Sequence, residues 1–171
     1  MEERKDHLMN DKFERLRSIV AKLRAEDGCP WDREQTHESL KAPCIEEACE
    51  VVCGINILNA TGNAENLKEE LGDLLFQVMI HAQIAEEEGL FRIEDVIDTV
   101  TDKMIRRHPH VFGDVSVSGS DEVIKNWDEI KSAEKIGKTD EKDFIFNAFD
   151  ESAQLIDVAK ERKLKKLASS K

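Results

Sequence analysis

Apolar residues recur every three or four positions along most of this chain, the spacing that gives an α-helix one apolar face. Phe13, Leu16, Ile19, Val20 and Leu23 form such a stripe and predict a helix over residues 10–25. The run Asp27-Gly28-Cys29-Pro30-Trp31-Asp32 breaks it, and Asp32 or Thr36 is expected to cap the next helix. A second helix is predicted over 43–59, with Pro43 in its first turn, where its missing N–H has no intrahelical partner to lose. After a Thr61-Gly62-Asn63 turn, Leu67, Leu71, Leu74, Leu75, Val78 and Ile84 predict a third helix over 64–88, stopped at Gly89. Val96, Ile97, Val100 and Met104 predict a fourth from Ile93 to Arg106, ended by Pro109. Gly113 to Gly119 reads as a loop, a candidate lid or linker, followed by a helix over 121–136. Phe149, Leu155, Ile156, Val158 and Leu164 predict a last helix over 144–166 with a lysine-rich end. No stretch alternates convincingly like a strand, so short turns between moderate helices predict an all-α, antiparallel helical bundle.

Composition narrows the class. At 171 residues the chain has material for one real core but not comfortably for two full domains. A net charge of −12, from 25 basic and 37 acidic residues, argues against broad nucleic-acid binding, which needs a basic footprint. A small anionic ligand stays compatible with it, because metals and a few local cations reverse the potential within one cleft. No segment is apolar enough to span a bilayer, and the opening MEERKDHLMNDKFERL has no apolar signal core, so a cytoplasmic protein is expected. Cys29, Cys44, Cys49 and Cys53 lack the close pairs of a zinc site and do not resemble a disulfide framework.

The acidic residues carry the chemistry. Glu47 and Glu50, and then Glu70 and Asp73, form two pairs with the same three-residue spacing on consecutive predicted helices. Residues three apart share a helix face, so an antiparallel return lets all four carboxylates converge. Such a cluster repels itself unless cations occupy it, and hard divalent ions such as Mg²⁺, with Mn²⁺ a substitute, prefer oxygen ligands. The competing reading is a solvated acidic surface, since about a fifth of the chain is acidic. Neighbouring Ile45, Val51, Val52, Leu71, Leu74 and Leu75 place the pairs at the edge of apolar faces, which strengthens the metal reading, although on these residues alone the solvated surface is still preferred.

The motifs Gly28-Cys29-Pro30-Trp31-Asp32, Gln35-Thr36-His37, Glu46-Glu47-Ala48-Cys49-Glu50-Val51, Glu69-Glu70-Leu71-Gly72-Asp73-Leu74-Leu75-Phe76-Gln77-Val78 and Arg106-Arg107-His108-Pro109-His110-Val111-Phe112 together resemble the MazG family. The resemblance covers about residues 13–135 and implies an all-α nucleoside triphosphate pyrophosphohydrolase. That implies Mg-dependent cleavage between the α and β phosphates to nucleoside monophosphate and pyrophosphate, as house-cleaning of non-standard nucleotides or otherwise. It also implies a bundle completed by oligomerisation, at least a homodimer or else a homotetramer. On this basis Glu47, Glu50, Glu70 and Asp73 are expected as metal ligands, with Glu46 and Glu69 binding an outer metal or orienting water. Lys103, Arg107, Trp127 and Lys131 resemble the family's substrate-contacting positions, and Trp31 is a candidate cover for the base. Alternatives for these residues are ordinary: cations near a helix C-terminus, a packing tryptophan, a solvated lysine. Either Glu46 or Glu50 is expected to take the proton of the attacking water. His81 is expected to hydrogen-bond internally, and His108 and His110 to organise the region around Arg107.

The expected organisation is a pyrophosphohydrolase domain over residues 1–137 and a helical extension over 138–171, a capping helix or dimer arm. Departures from the family pattern fall at Pro43-Cys44 and Cys49, where tyrosines are common, at Cys53, where an aspartate often stands, and at Gly54, in place of alanine. They motivate the alternative of a catalytically weakened nucleotide-binding or protein-interaction module, with a purely structural helical oligomer as a third reading.

Overall fold

The computed structural model describes residues 2–134 and 140–169. Among them every regular element is a helix: α1 (Glu2–Arg24), α2 (Pro30–Glu34), α3 (Lys41–Thr61), α4 (Glu65–Glu87), α5 (Ile93–Arg107), α6 (Pro109–Phe112), α7 (Ser120–Glu134) and α8 (Asp140–Ser169). The all-α expectation holds, and most predicted helices recur with ends moved by a few residues. Position 136, the predicted end of the helix seen as α7, lies outside the described residues.

The capping expectation fails in an instructive way. Asp32 caps nothing. It sits inside α2, a short helix with Pro30 at its start, and is buried. Thr36 does not cap α3 either. It exchanges hydrogen bonds with Ser39, Thr36 N–H to Oγ at 3.0 Å and Ser39 N–H to Oγ1 at 3.2 Å, closing a turn before Leu40 enters the helix. Proline pre-set for a first helical turn therefore converts the expected break into one more helical turn.

Two compact units emerge: residues 1–90 with 150–171, and residues 91–149. The first is organised by the α3–α4 hairpin. Gly62, at φ +75°, ends α3 in the left-handed conformation that suits glycine, and its N–H returns to the Leu58 carbonyl at 2.8 Å. Asn63 Oδ1 then accepts the Glu65 N–H at 3.0 Å and starts α4. Farther along, Gly54 faces Leu67 so closely that a Cβ at position 54 would lie 2.8 Å from the Leu67 Cα. Position numbers on the two helices sum to about 121 at this contact, an antiparallel register that puts Glu50 opposite Glu70 and Glu47 opposite Asp73.

The core of this unit gathers on the second half of α4, where Met79, Ile80, Ala82, Ile84 and Ala85 are buried together with Val20 of α1 and Leu40. Arg24 ties the same end. Its guanidinium donates to the carbonyls of Asp32 (2.6 Å) and Gln35 (3.0 Å) and pairs with Glu87 at 2.8 Å, its side chain 7% exposed. The acidic positions thus sit nearer the turn, away from the end of the hairpin that Arg24 ties.

The second unit contains α5, α6 and α7. Asp95 accepts the Arg92 N–H at 2.8 Å at the start of α5. Pro109 ends α5 as expected, and also opens α6 from its first turn. The loop before α7 closes through Glu122, whose carboxylate accepts both the N–H and the hydroxyl of Ser118 at 2.8 Å.

Candidate functional site

The antiparallel register delivers the predicted convergence for three carboxylates. Oxygens of Glu47, Glu70 and Asp73 all lie within 4.8 Å of one another, a spacing that one cation can bridge. Glu70 is buried, Glu47 half-buried and Asp73 exposed, so the cluster runs from the helix interface out to solvent. Burial raises the Glu47 pKa above the ordinary carboxylate range, and the neighbouring charges of Glu50, Asp73, Glu70 and Glu46 push it the same way. Glu70 is raised too, by burial first and then by Glu50, although the hydrogen bond from Asn66 works in the opposite direction. Like charges this close repel by about 3–4 kcal/mol at a surface-like dielectric, and nothing in the trio itself offsets that.

Asn66 is a feature that carboxylate spacing does not reveal. One turn before Glu70 on α4, its Nδ2 donates to Glu70 Oε1 at 3.0 Å and orients the carboxylate. Its Oδ1 is buried without a partner among the described residues, as is Oε1 of Gln77, one turn beyond Asp73. Clustered carboxylates with unpartnered amide oxygens nearby make an all-oxygen donor set, which fits a hard divalent cation and not a soft one. The only signal of Asn66 in the sequence is its i−4 spacing from Glu70, which many neutral pairs share.

Glu50, the fourth expected ligand, stands outside the trio and accepts a hydrogen bond from Lys163 of α8. Glu46 is held the same way. Arg162 donates to its Oε2, and Lys163 Nζ lies 3.4 Å from its Oε1. Burial opposes ionisation of Glu46, but the hydrogen bonds and attraction of Arg162 and Lys163 leave its pKa below the ordinary value. Hydrogen bonding to Glu50 in turn raises the Lys163 pKa. Glu69 is exposed and adds repulsion to Glu70. Beside these ion pairs, α3, α4 and α8 enclose a cavity of about 500 Å³, lined by Cys49 and Cys53 as well as by Asn66 and Glu70. All four cysteines are free thiols.

The expected substrate-contacting residues of the second unit divide into two groups. Arg107 is bidentate to Glu134, with Nη2 at 2.6 Å and Nε at 3.1 Å, and its guanidinium lies 5.1 Å from the centre of the Trp127 ring. Arg106 shares Glu134 at 3.0 Å, and Arg107 is the main reason that the Glu134 pKa falls. His108 meets the Trp127 ring edge-on at 5.0 Å while its Nδ1 contacts the Met104 carbonyl at 2.6 Å. Lys103, one turn before Arg107, instead lines a separate cavity of about 390 Å³ with Phe91, Val96 and Val100. Lys131 is exposed on α7, and Trp31, 61% exposed on α2, is uncovered in its own unit. His81 makes the internal bond expected of it, Nδ1 to Nδ1 of His37 at 2.8 Å with the rings stacked. Burial lowers its pKa, and His37 adds to the effect. No helix among the described residues is long and apolar enough to cross a membrane.

The family model for the MazG nucleotide pyrophosphohydrolase domain matches residues 35–112. The nucleoside triphosphate pyrophosphohydrolase/pyrophosphatase MazG of Thermotoga maritima is 55% identical over 123 residues, 72% of this chain and 45% of that protein. The nucleoside triphosphate pyrophosphohydrolase of Escherichia coli K12 is 44% identical over 129 residues, 75% of this chain and 48% of its own length. The uncharacterized protein YabN of Bacillus subtilis is 48% identical over 132 residues, which is 77% of this chain but 26% of YabN. The chain therefore spans half or less of the length of these relatives. Both acidic helices fall inside the matched residues, and the chain belongs to the MazG family of nucleotide pyrophosphohydrolases.

Proposed function

We propose that the chain hydrolyses nucleoside triphosphates at the α–β phosphate bond, giving nucleoside monophosphate and pyrophosphate, with Mg²⁺ held by Glu47, Glu50, Glu70 and Asp73. The observation that carries this reading is the convergence of Glu47, Glu70 and Asp73 oxygens within 4.8 Å on an antiparallel pair of helices. A divalent ion there supplies Lewis-acid polarisation of a phosphate and a lowered pKa for bound water. The chain's own groups do the rest. Asn66 keeps the Glu70 carboxylate aimed, and Glu46 or Glu50 takes the water proton once its basic partner on α8 has moved. Lys103, Arg107 and Lys131, assigned by resemblance, neutralise the pyrophosphate leaving group, and Trp127 or Trp31 stacks on the base. Removal of non-standard nucleotides is the physiological role that we propose, in the cytoplasm, without nucleic-acid or membrane partners. The test is pyrophosphate release from a panel of nucleoside triphosphates with and without Mg²⁺. Release that is metal-dependent and lost in Glu70→Gln is the expected result. Metal-independent release, or none with any nucleotide, overturns it.

One observation favours the second reading, a weakened nucleotide-binding or protein-interaction module: Glu50, although near enough to raise the pKa of Glu47 and Glu70, is engaged by Lys163 and lies outside the three-carboxylate cluster. Nucleotide binding without turnover, at any Mg²⁺ concentration, selects that reading.

A further inference from the structure

Residues 150–169 of α8 bring consecutive cations, Arg162 and Lys163, onto Glu46 and Glu50, two carboxylates about one helical turn apart on α3. Farther back on the same helix Glu151 accepts from Lys41 at 3.1 Å, so the ion pairs ascend α3 and α8 in the same direction. Little else holds the two helices together. Among the described residues α8 reaches α3 by long side chains and not by close backbone packing, with the 500 Å³ cavity between them. Much of its apolar surface is open: Val158, Leu164 and Leu167 are each more than half exposed. Partly exposed ion pairs add little stability each, so an attachment made of them is easily exchanged for a stronger cation.

We infer that residues 150–169 of α8 form an intramolecular cationic strap, whose Arg162 and Lys163 compete with divalent cations for the Glu46–Glu50 side of the acidic site and so set the metal concentration at which it loads. The inference rests on the proposed role of Glu50 as a metal ligand. An ammonium group in hydrogen-bond contact with Glu50 repels a dication on the same carboxylate, so loading displaces Lys163 from it. Displacement frees Glu46 at the same time, because Lys163 and Arg162 are adjacent in the chain and move as one segment. Free Mg²⁺ then acts as the release signal, and the strapped chain is protected from loading at low metal.

Titration of the full chain with Mn²⁺ alone, followed by the electron paramagnetic resonance signal of the free ion, tests this without turnover. The double variant Arg162→Gln/Lys163→Gln is expected to bind Mn²⁺ about 3- to 30-fold more tightly, the range that one to two exposed ion pairs supply. Arg162→Lys/Lys163→Arg keeps both charges and is expected to match the wild type. In the wild type, hydrogen exchange across residues 150–169 is expected to quicken when Mn²⁺ is added. Equal or weaker Mn²⁺ binding by the neutral double variant overturns the strap alone. Absence of Mn²⁺ binding in both chains overturns the metal reading, and the strap with it.

Discussion

Glu70 is buried, yet it has four other carboxylates near it, Glu47, Glu50, Glu69 and Asp73, and is oriented by a single amide. That combination is unfavourable in the metal-free protein and useful only when a cation is present. The raised pKa values of Glu47 and Glu70 give the direction of a pH effect. Below the ordinary carboxylate range both folded and unfolded chains hold these protons. As pH rises the unfolded chain loses them first, so metal-free stability falls until the folded groups ionise at their raised values. Glu46 has the opposite sign: its lowered pKa contributes stability above the ordinary carboxylate value, lost as pH falls through the folded one. Mg²⁺ is therefore expected to raise the melting temperature more near pH 7.5 than near pH 5, where protons compete for Glu47 and Glu70. Thermal unfolding with and without Mg²⁺ at both pH values checks this, and an equal shift at both contradicts it. Glu70→Gln should lower pyrophosphate release by at least about 100-fold, while Asn66→Leu, which leaves the ligand but not its orientation, should lower it by about 10- to 100-fold. Arg24 marks the other end of the unit. Arg24→Ala takes the cation from Glu87, which keeps only its hydrogen bond from Gln83, and removes the side-chain donor from the Asp32 and Gln35 carbonyls; it is expected to destabilise by about 2–4 kcal/mol in urea unfolding, without altering Mn²⁺ affinity.

Among the helices, the decisive contact is Gly54 on Leu67. Glycine weakens a helix by about 1 kcal/mol, and here it permits the close approach that sets the separation of Glu47 from Asp73 two turns away. Gly54→Val puts side-chain atoms where the Leu67 backbone already lies. The expected outcome is a loss of about 1–3 kcal/mol of stability with a weaker metal affinity, because α3 and α4 must separate. Wild-type Mn²⁺ binding in a folded Gly54→Val chain contradicts this account of the register. The hairpin itself is legible in the sequence: a stripe on each helix, a Gly62-Asn63 turn, and paired spacings of three. The contribution of α8 to the same region is not. Its lysine-rich end resembles any solvated helix terminus, and no local pattern says which distant carboxylates Arg162 and Lys163 will meet.

On the scale of the molecule, α3 and α4 leave apolar side chains uncovered: Val52 and Ile55 on one, Leu71, Leu75 and Val78 at i, i+4 and i+7 on the other. A helix with apolar residues on more than one face has more to bury than one neighbour provides. This supports the proposal of a homodimer or homotetramer built on these helices. Leu75→Glu is expected to shift the chain to monomer in sedimentation velocity, and a wild-type chain that is already monomeric contradicts the proposal. Helix number, the hairpin turn and the spacing of the acidic pairs follow from local periodicity, because each depends on residues within a few turns of one another. The sequence by itself therefore determined the all-α class and which carboxylates share a helix face. Only the tertiary structure decided which of them meet, with Glu47, Glu70 and Asp73 together and Glu50 drawn toward Lys163. That choice turns on a close helix contact at Gly54 and on charge pairs between residues more than a hundred positions apart, and neither distance nor burial is written in local pattern.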